Sequence, residues 1–160
     1  MSEETSTQLI SVSHSIVVQR NNQSVFSFFA DMRNDARWRK EINATSMSGD
    51  PQLNVLVMED SFLSGRTPHH VLKLECIAYE AHHTAVFETI AGSPLYLKST
   101  RQVEAIEAGK SRIIYSISFD KGIVKKGVGF NLPSFFINYI ARKDMVKYMK
   151  RLKTILEKNT

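Results

Sequence analysis

The stretch NLPSFFINYIARKDMVKYMKRLKTILEK, residues 131–158, decides the fold. Phe136, Tyr139 or Ile140, Val146, Met149, Leu152 and Leu156 recur in it at spacings of three, four and seven, which lays one apolar stripe along an amphipathic helix. Asn131 is placed to cap its start, and Pro133 falls in the first turn, where a missing N–H is harmless. Such a helix is roughly 40 Å long, too long to rest on one short partner. It needs a broad surface, and the residues upstream supply one.

Leu9–Arg20 alternates, with Val12, His14, Ile16 and Val18 on one face and Ser13, Ser15, Val17 and Gln19 on the other, as in a half-buried strand. Asn21-Asn22 breaks it and opens a short helix with the apolar face Val25, Phe26, Phe28, Phe29 and Met32. A second short helix is expected over Asp35–Ile42. It carries Trp38, the only tryptophan, as a plug closing the end of the core, with ligand contact as the alternative. Asn43–Ser48, Leu53–Ser64, His69–Ala81, Thr84–Ala91, Leu95–Glu107 and Ser111–Asp120 then read as strands. The turns between them are short, so the pairing is an antiparallel meander. Lys121–Phe130, with Gly122, Gly127 and Gly129, reads as a flexible link into the long helix. The order is α+β: two short helices after the first strand, a curved antiparallel sheet of about seven strands, and a long C-terminal helix on its concave side. One domain over residues 1–160 is expected, with Met1–Thr7 a frayed polar end.

An apolar content of 42% and a charged content of 23% are those of a globular domain. Met1–Ser13 has no basic n-region and no apolar h-region, and no apolar run approaches the ~20 residues of a spanning helix. Cys76 stands alone, so no intrachain disulfide can form, and a reducing cytoplasm is expected. The net charge is +5, and between Arg142 and Lys158 seven basic residues face two acidic ones, so the last helix carries the whole excess. That face is either simply solvated or attracted to an anionic membrane or another acidic partner. Nucleic acid is not expected, because no exposed aromatics are interleaved with the basic residues. A monomer or homodimer is expected.

Few catalytic templates fit. Gly109-Lys110-Ser111 ends like a phosphate loop, but the position of its first glycine is Glu104. Cys76 sits among Leu72, Leu74 and Ala78 as an inert buried thiol. In the pairs His69-His70 and His82-His83, neighbouring side chains on a strand point to opposite faces, so neither pair chelates a metal through both rings. No metal and no cofactor is expected. Arg101 faces inward if Leu97 and Val103 do, and it then needs a carboxylate. Glu88 on the neighbouring strand is one candidate; a ligand carboxylate or phosphate is the other. The aromatic set Phe62, Phe87, Tyr96, Tyr115, Phe119, Phe136 and Tyr139 either fills the core or lines a pocket with hydroxyls that orient a ligand.

The order of elements, with His14-Ser-Ile-Val-Val, Val25-Phe-Ser-Phe-Phe-Ala-Asp-Met, Arg37-Trp38 and the closing Tyr148-Met-Lys-Arg-Leu-Lys-Thr-Ile-Leu-Glu157, resembles the START-like helix-grip (SRPBCC) superfamily, in particular its polyketide cyclase/dehydrase and lipid-transport branch. The chain departs from the branch at Asp50-Pro51-Gln52, where many relatives have a second glycine. The resemblance implies a hydrophobic ligand held between sheet and last helix, and favours the pocket over the filled core. It implies a soluble binding or transport protein for a hydrophobic small molecule or lipid, with Phe62, Phe87, Tyr96, Arg101, Tyr115, Phe119, Phe136 and Tyr139 as ligand-binding candidates. The alternatives are a cyclase/dehydratase-like enzyme, with His14, Glu88, Arg101 and Tyr115 as catalytic candidates, and a non-catalytic accessory protein docking through its basic helix.

Overall fold

The computed structural model describes residues 9–158, so the polar segment Met1–Thr7 lies outside the described residues. Strands β1 (Leu9–Val18), β2 (Ile42–Met47), β3 (Leu56–Ser61), β4 (His70–Glu80), β5 (Thr84–Thr89), β6 (Leu97–Glu107) and β7 (Lys110–Asp120) form one antiparallel sheet in the order β1-β7-β6-β5-β4-β3-β2. β2 to β7 are a simple meander, as their short turns require. β1 lies at the opposite edge from β2, so the chain between them must cross the whole sheet. Helix α1 (Asn22–Phe29) and a 3₁₀ helix (Met32–Arg37) make that crossing. Helices α2 (Lys121–Val128) and α3 (Ser134–Lys158) follow β7. The architecture is α+β, a curled seven-stranded sheet with a long C-terminal helix.

Local chemistry sets the boundaries. The Asn21 carboxamide accepts the Ser24 N–H at 2.8 Å and caps α1. The Asp31 carboxylate accepts the Arg33 N–H at 3.0 Å and starts the 3₁₀ turn. This turn lies a few residues before the helix expected over Asp35–Ile42, because the Asp31 cap fixes its start. Trp38 ends it, fully buried against Phe29 and Tyr115, and is the plug its surroundings suggested. The expected flexible link over Lys121–Phe130 is instead mostly helix. Asp120 accepts the Gly122 N–H at 2.7 Å, and Gly129, at φ +87°, closes α2 in the left-handed conformation. The capping aspartate outweighs the helix-weakening glycines.

α3 begins at Ser134, later than Asn131, and buries Ile137, Met145, Met149, Leu152 and Leu156. In the C-terminal half of the anticipated stripe Met149, Leu152 and Leu156 are buried as expected, whereas Val146 is only partly buried and its neighbour Met145 takes the core position. In the N-terminal half Phe136, Tyr139 and Ile140 are exposed. That half has more bulky apolar residues than a single buried face can hold.

The sheet's concave side carries a buried ionic cluster. Arg101 and Asp35 are both 0% exposed and share two hydrogen bonds, Nη1 to Oδ1 at 2.7 Å and Nη2 to Oδ2 at 2.6 Å. Arg101 also donates to the Phe29 carbonyl at 2.8 Å and to Ser99 Oγ at 3.1 Å. Its guanidinium lies within 6 Å of the rings of Phe29, Trp38, Phe87 and Tyr115. Burial disfavours its charge, and the Asp35 carboxylate more than offsets this. Arg39 joins the same carboxylate at 3.0 Å and continues to Glu59 at 3.0 Å and Glu41 at 3.0 Å.

The inward phase of Arg101 is therefore correct, but its partner is not Glu88. Arg101 stands opposite Ala85, and directly paired residues share a face, so Ala85, Phe87 and Thr89 point inward. Glu88 points to the other face and accepts the Tyr96 hydroxyl at 2.6 Å. β5 buries Ala85, Val86 and Phe87 in succession, which removes the period-two signal that would have set its phase.

A charge stripped of its partner inside a protein is far costlier than an intact pair. Asp35→Asn removes the carboxylate from two buried guanidiniums at once, and a loss of about 3–5 kcal/mol in unfolding free energy is expected. Urea denaturation followed by circular dichroism measures it.

Candidate functional site

α3 does not lie flat on the sheet along its whole length. Its second half is packed hard, with Met149, Leu152 and Leu156 fully buried. Under its first half a cavity of about 350 Å³ remains. One wall is Val12 of β1 with Tyr115, Ile117 and Phe119 of β7. The roof is Ile137, Ile140, Ala141, Asp144, Met145 and Tyr148 of α3. Ile123, Val124, Gly127 and Val128 of α2 and Phe62 and Leu63 of the β3–β4 loop close one side. Leu132, Arg39 and Glu41 complete the lining. The walls are mostly apolar with a few convergent polar groups, the usual makeup of a small-molecule site.

α2 is held over this cavity by polar ties to the β3–β4 loop and β4. Ser64 Oγ donates to the Gly127 carbonyl at 2.6 Å, Thr67 Oγ1 donates to the Lys126 carbonyl at 3.2 Å, and Lys126 Nζ donates to His70 Nδ1 at 2.9 Å. Burial and the Lys126 ammonium push His70 below the ordinary histidine range, so the imidazole stays a neutral acceptor. Gly127 packs directly on Leu63, where an added Cβ would meet the Leu63 side chain at 3.1 Å. His69 faces away and contacts Asp60 at 2.9 Å, so the two adjacent rings take separate partners.

The polar groups of the cavity gather at one end. Arg39, 5% exposed, donates through Nε and Nη2 to Glu41 Oε1. Glu41 Oε2 is buried without a hydrogen-bond partner. Tyr115 is 2% exposed, and its hydroxyl is likewise buried without a partner. Burial pushes the Tyr115 phenol up, so it stays protonated. Burial, the Glu41 charge and a hydrogen bond from the Tyr148 hydroxyl to the Glu41 carboxylate push Tyr148 up as well, and burial and Glu41 raise the Asp144 carboxyl.

Of the residues singled out from sequence, Phe62, Tyr115 and Phe119 line the cavity. Arg101 and Phe87 lie buried beside Tyr115 and Trp38, outside the lining. His14, Tyr115 and Arg101 form one row across β1, β7 and β6, with His14 partly buried at its edge. Tyr96 is on the other face with Glu88, its hydroxyl pushed up to about 12 by burial and that carboxylate. Phe136 and Tyr139 stand on the outer side of α3. Sequence reasoning missed Arg39, Glu41, Asp144 and Tyr148. Arg39 and Glu41 sit in a charged run that reads as surface, and Asp144 and Tyr148 fall outside the apolar stripe. The i, i+4 spacing of Asp144 and Tyr148 was the available signal, since it puts both on one helix face.

A buried hydroxyl without a partner is a liability to the empty protein. Tyr115→Phe is expected to leave the unfolding free energy unchanged or to raise it by up to about 1 kcal/mol; a hydroxyl that stabilises the fold would show a loss of similar size in the same urea titration.

At the level of sequence, no protein-family model matches the chain and no curated protein matches it. Solved structures do match in three dimensions. A START superfamily protein from Mycobacterium smegmatis superposes with a TM-score of 0.72 at 12% identity, over 94% of this chain and 99% of that one. The Zhui aromatase/cyclase of a Streptomyces species gives 0.71 at 12% identity, over 94% of each chain. A truncated norcoclaurine synthase from Thalictrum flavum gives 0.62 at 13%, over 96% of each. At such identities the likeness is one of fold: this chain has the START-like helix-grip fold.

Proposed function

We propose that this protein is a soluble cytoplasmic binding protein for a hydrophobic small molecule or lipid, held beneath the first half of α3. The observation that carries this reading is the cavity of about 350 Å³ beneath α3, bounded largely by Ile, Val, Leu, Phe and Met side chains. Apolar burial supplies the affinity, at ~25 cal/mol per Å² before ordering costs. The catalytic alternative has less support. Of His14, Glu88, Arg101 and Tyr115, only Tyr115 lines the cavity, and general acid–base chemistry needs two groups that converge on the substrate. Native mass spectrometry of freshly purified protein is expected to show a co-purified hydrophobic molecule. Repeated absence of any adduct, with no thermal shift across a lipid and aromatic panel, removes the carrier reading.

Loading from an anionic membrane is favoured by the surface around the cavity. Phe130 and Phe135 are 59% and 78% exposed, and Phe136 and Tyr139 are exposed beside them. They are sequence neighbours of the lining residues Val128, Leu132, Ile137 and Ile140. Arg66, Lys125, Arg142 and Lys143 are exposed in the same elements. Aromatic side chains set among cations suit the interface of an anionic bilayer. No helix among the described residues is long and apolar enough to span one. Flotation with phosphatidylserine-containing vesicles is expected to recover the protein, and Phe135→Ser with Phe130→Ser to reduce recovery several-fold. Equal flotation with purely zwitterionic vesicles rules out the charge contribution.

A further inference from the structure

The polar end of the cavity specifies which chemical class of ligand it accepts, and this inference rests on the carrier reading above. Two polar atoms there lack partners. Glu41 Oε2 is an acceptor, and the Tyr115 hydroxyl has a proton to give. Both residues line the same cavity. Carboxyl groups outnumber guanidiniums around them. Two guanidiniums, Arg39 and Arg101, stand against the carboxyl groups of Asp35, Glu59 and Glu41, and Asp144 adds a fourth carboxyl from α3. Each guanidinium already makes four hydrogen bonds within the protein. The lysines that act on Asp144, Lys40, Lys143 and Lys147, are exposed on the outside of the molecule.

A ligand carboxylate or phosphate brings a further negative charge into this carboxyl-rich end and has no proton for Glu41. An ammonium satisfies Glu41 but has no lone pair for Tyr115. A hydroxyl both donates and accepts. We propose that the cavity takes an amphiphile whose buried polar end is an uncharged hydroxyl, an alcohol or phenol, which donates to Glu41 Oε2 and accepts from Tyr115 Oη. The apolar body lies toward Ile117, Phe119, Ile123 and Ile137. Arg101, the residue that from sequence looked suited to an anionic ligand, takes no part in this, because Asp35 already holds it.

The test is a series with one apolar body and four ends: para-octylphenol, para-octylbenzoate, para-octylbenzylamine and octylbenzene, each titrated calorimetrically into the full chain. The phenol is expected to bind at least tenfold more tightly than the benzoate and several-fold more tightly than the amine and the hydrocarbon. Tyr115→Phe is expected to weaken the phenol several-fold while leaving octylbenzene unchanged. Glu41→Gln, which keeps an acceptor for Arg39 but removes the charge, is expected to narrow the gap between phenol and benzoate. The unchanged binding of octylbenzene shows that each variant keeps the cavity. Benzoate binding as tight as the phenol, or amine binding tighter than the phenol, overturns the assignment. Equal binding of octylbenzene and phenol also overturns it but leaves the carrier reading standing. Binding of none of the four removes both.

Discussion

The Asp35 carboxylate is the constraint on which the rest of the structure depends. It sits where the chain crosses from β1 at one edge of the sheet toward β2 at the other, and it is gripped by Arg101 of β6 and by Arg39 a few residues later. The long crossing is thereby fixed to the middle of the sheet and, through Glu59, to β3. A buried ion pair is weak evidence of net stability, since desolvation consumes much of the attraction. Its effect here is geometric. The pairing orients Arg39 so that its remaining donors reach Glu41, and this places a carboxylate on the cavity wall.

The fold and the site are therefore joined at one cluster. Tyr115 marks the border. On one side it packs edge-on against Phe29 and Trp38, over the Arg101 guanidinium. On the other it forms part of the cavity wall. α3 shows the same division along its length, with a second half that seals the core and a first half that stands off the sheet. α2 fits into the space so created, with Ile123 in the core and polar ties to Ser64, Thr67 and His70.

Where one face of an element is buried and the other wet, the sequence was readable. β1 and β7 alternate, and Val12 and Val18 of β1 and Ile113 and Tyr115 of β7, read as sharing one face of each strand, are buried. The C-terminal half of α3 repeats Met149, Leu152 and Leu156 at helical spacing, and these are the fully buried residues. β5 defeated the same reasoning because Ala85, Val86 and Phe87 are all buried. α2 was misread because glycine content says little once an aspartate caps a helix and the first turn docks on neighbouring strands.

The sequence by itself determined the order of elements, the antiparallel meander and the amphipathic closing helix, because these follow from short-range periodicity and turn chemistry. Only the tertiary structure decided which charges meet. Asp35, Arg39 and Glu41 come from one stretch of chain, Glu59 from a second and Arg101 from a third, and the one-residue phase of β3 and β6 settles whether Glu59 and Arg101 enter the cluster or point to water. The cavity depends on the same long-range fact. It is the volume left where the helix and sheet surfaces diverge, and no local pattern along the chain encodes that divergence.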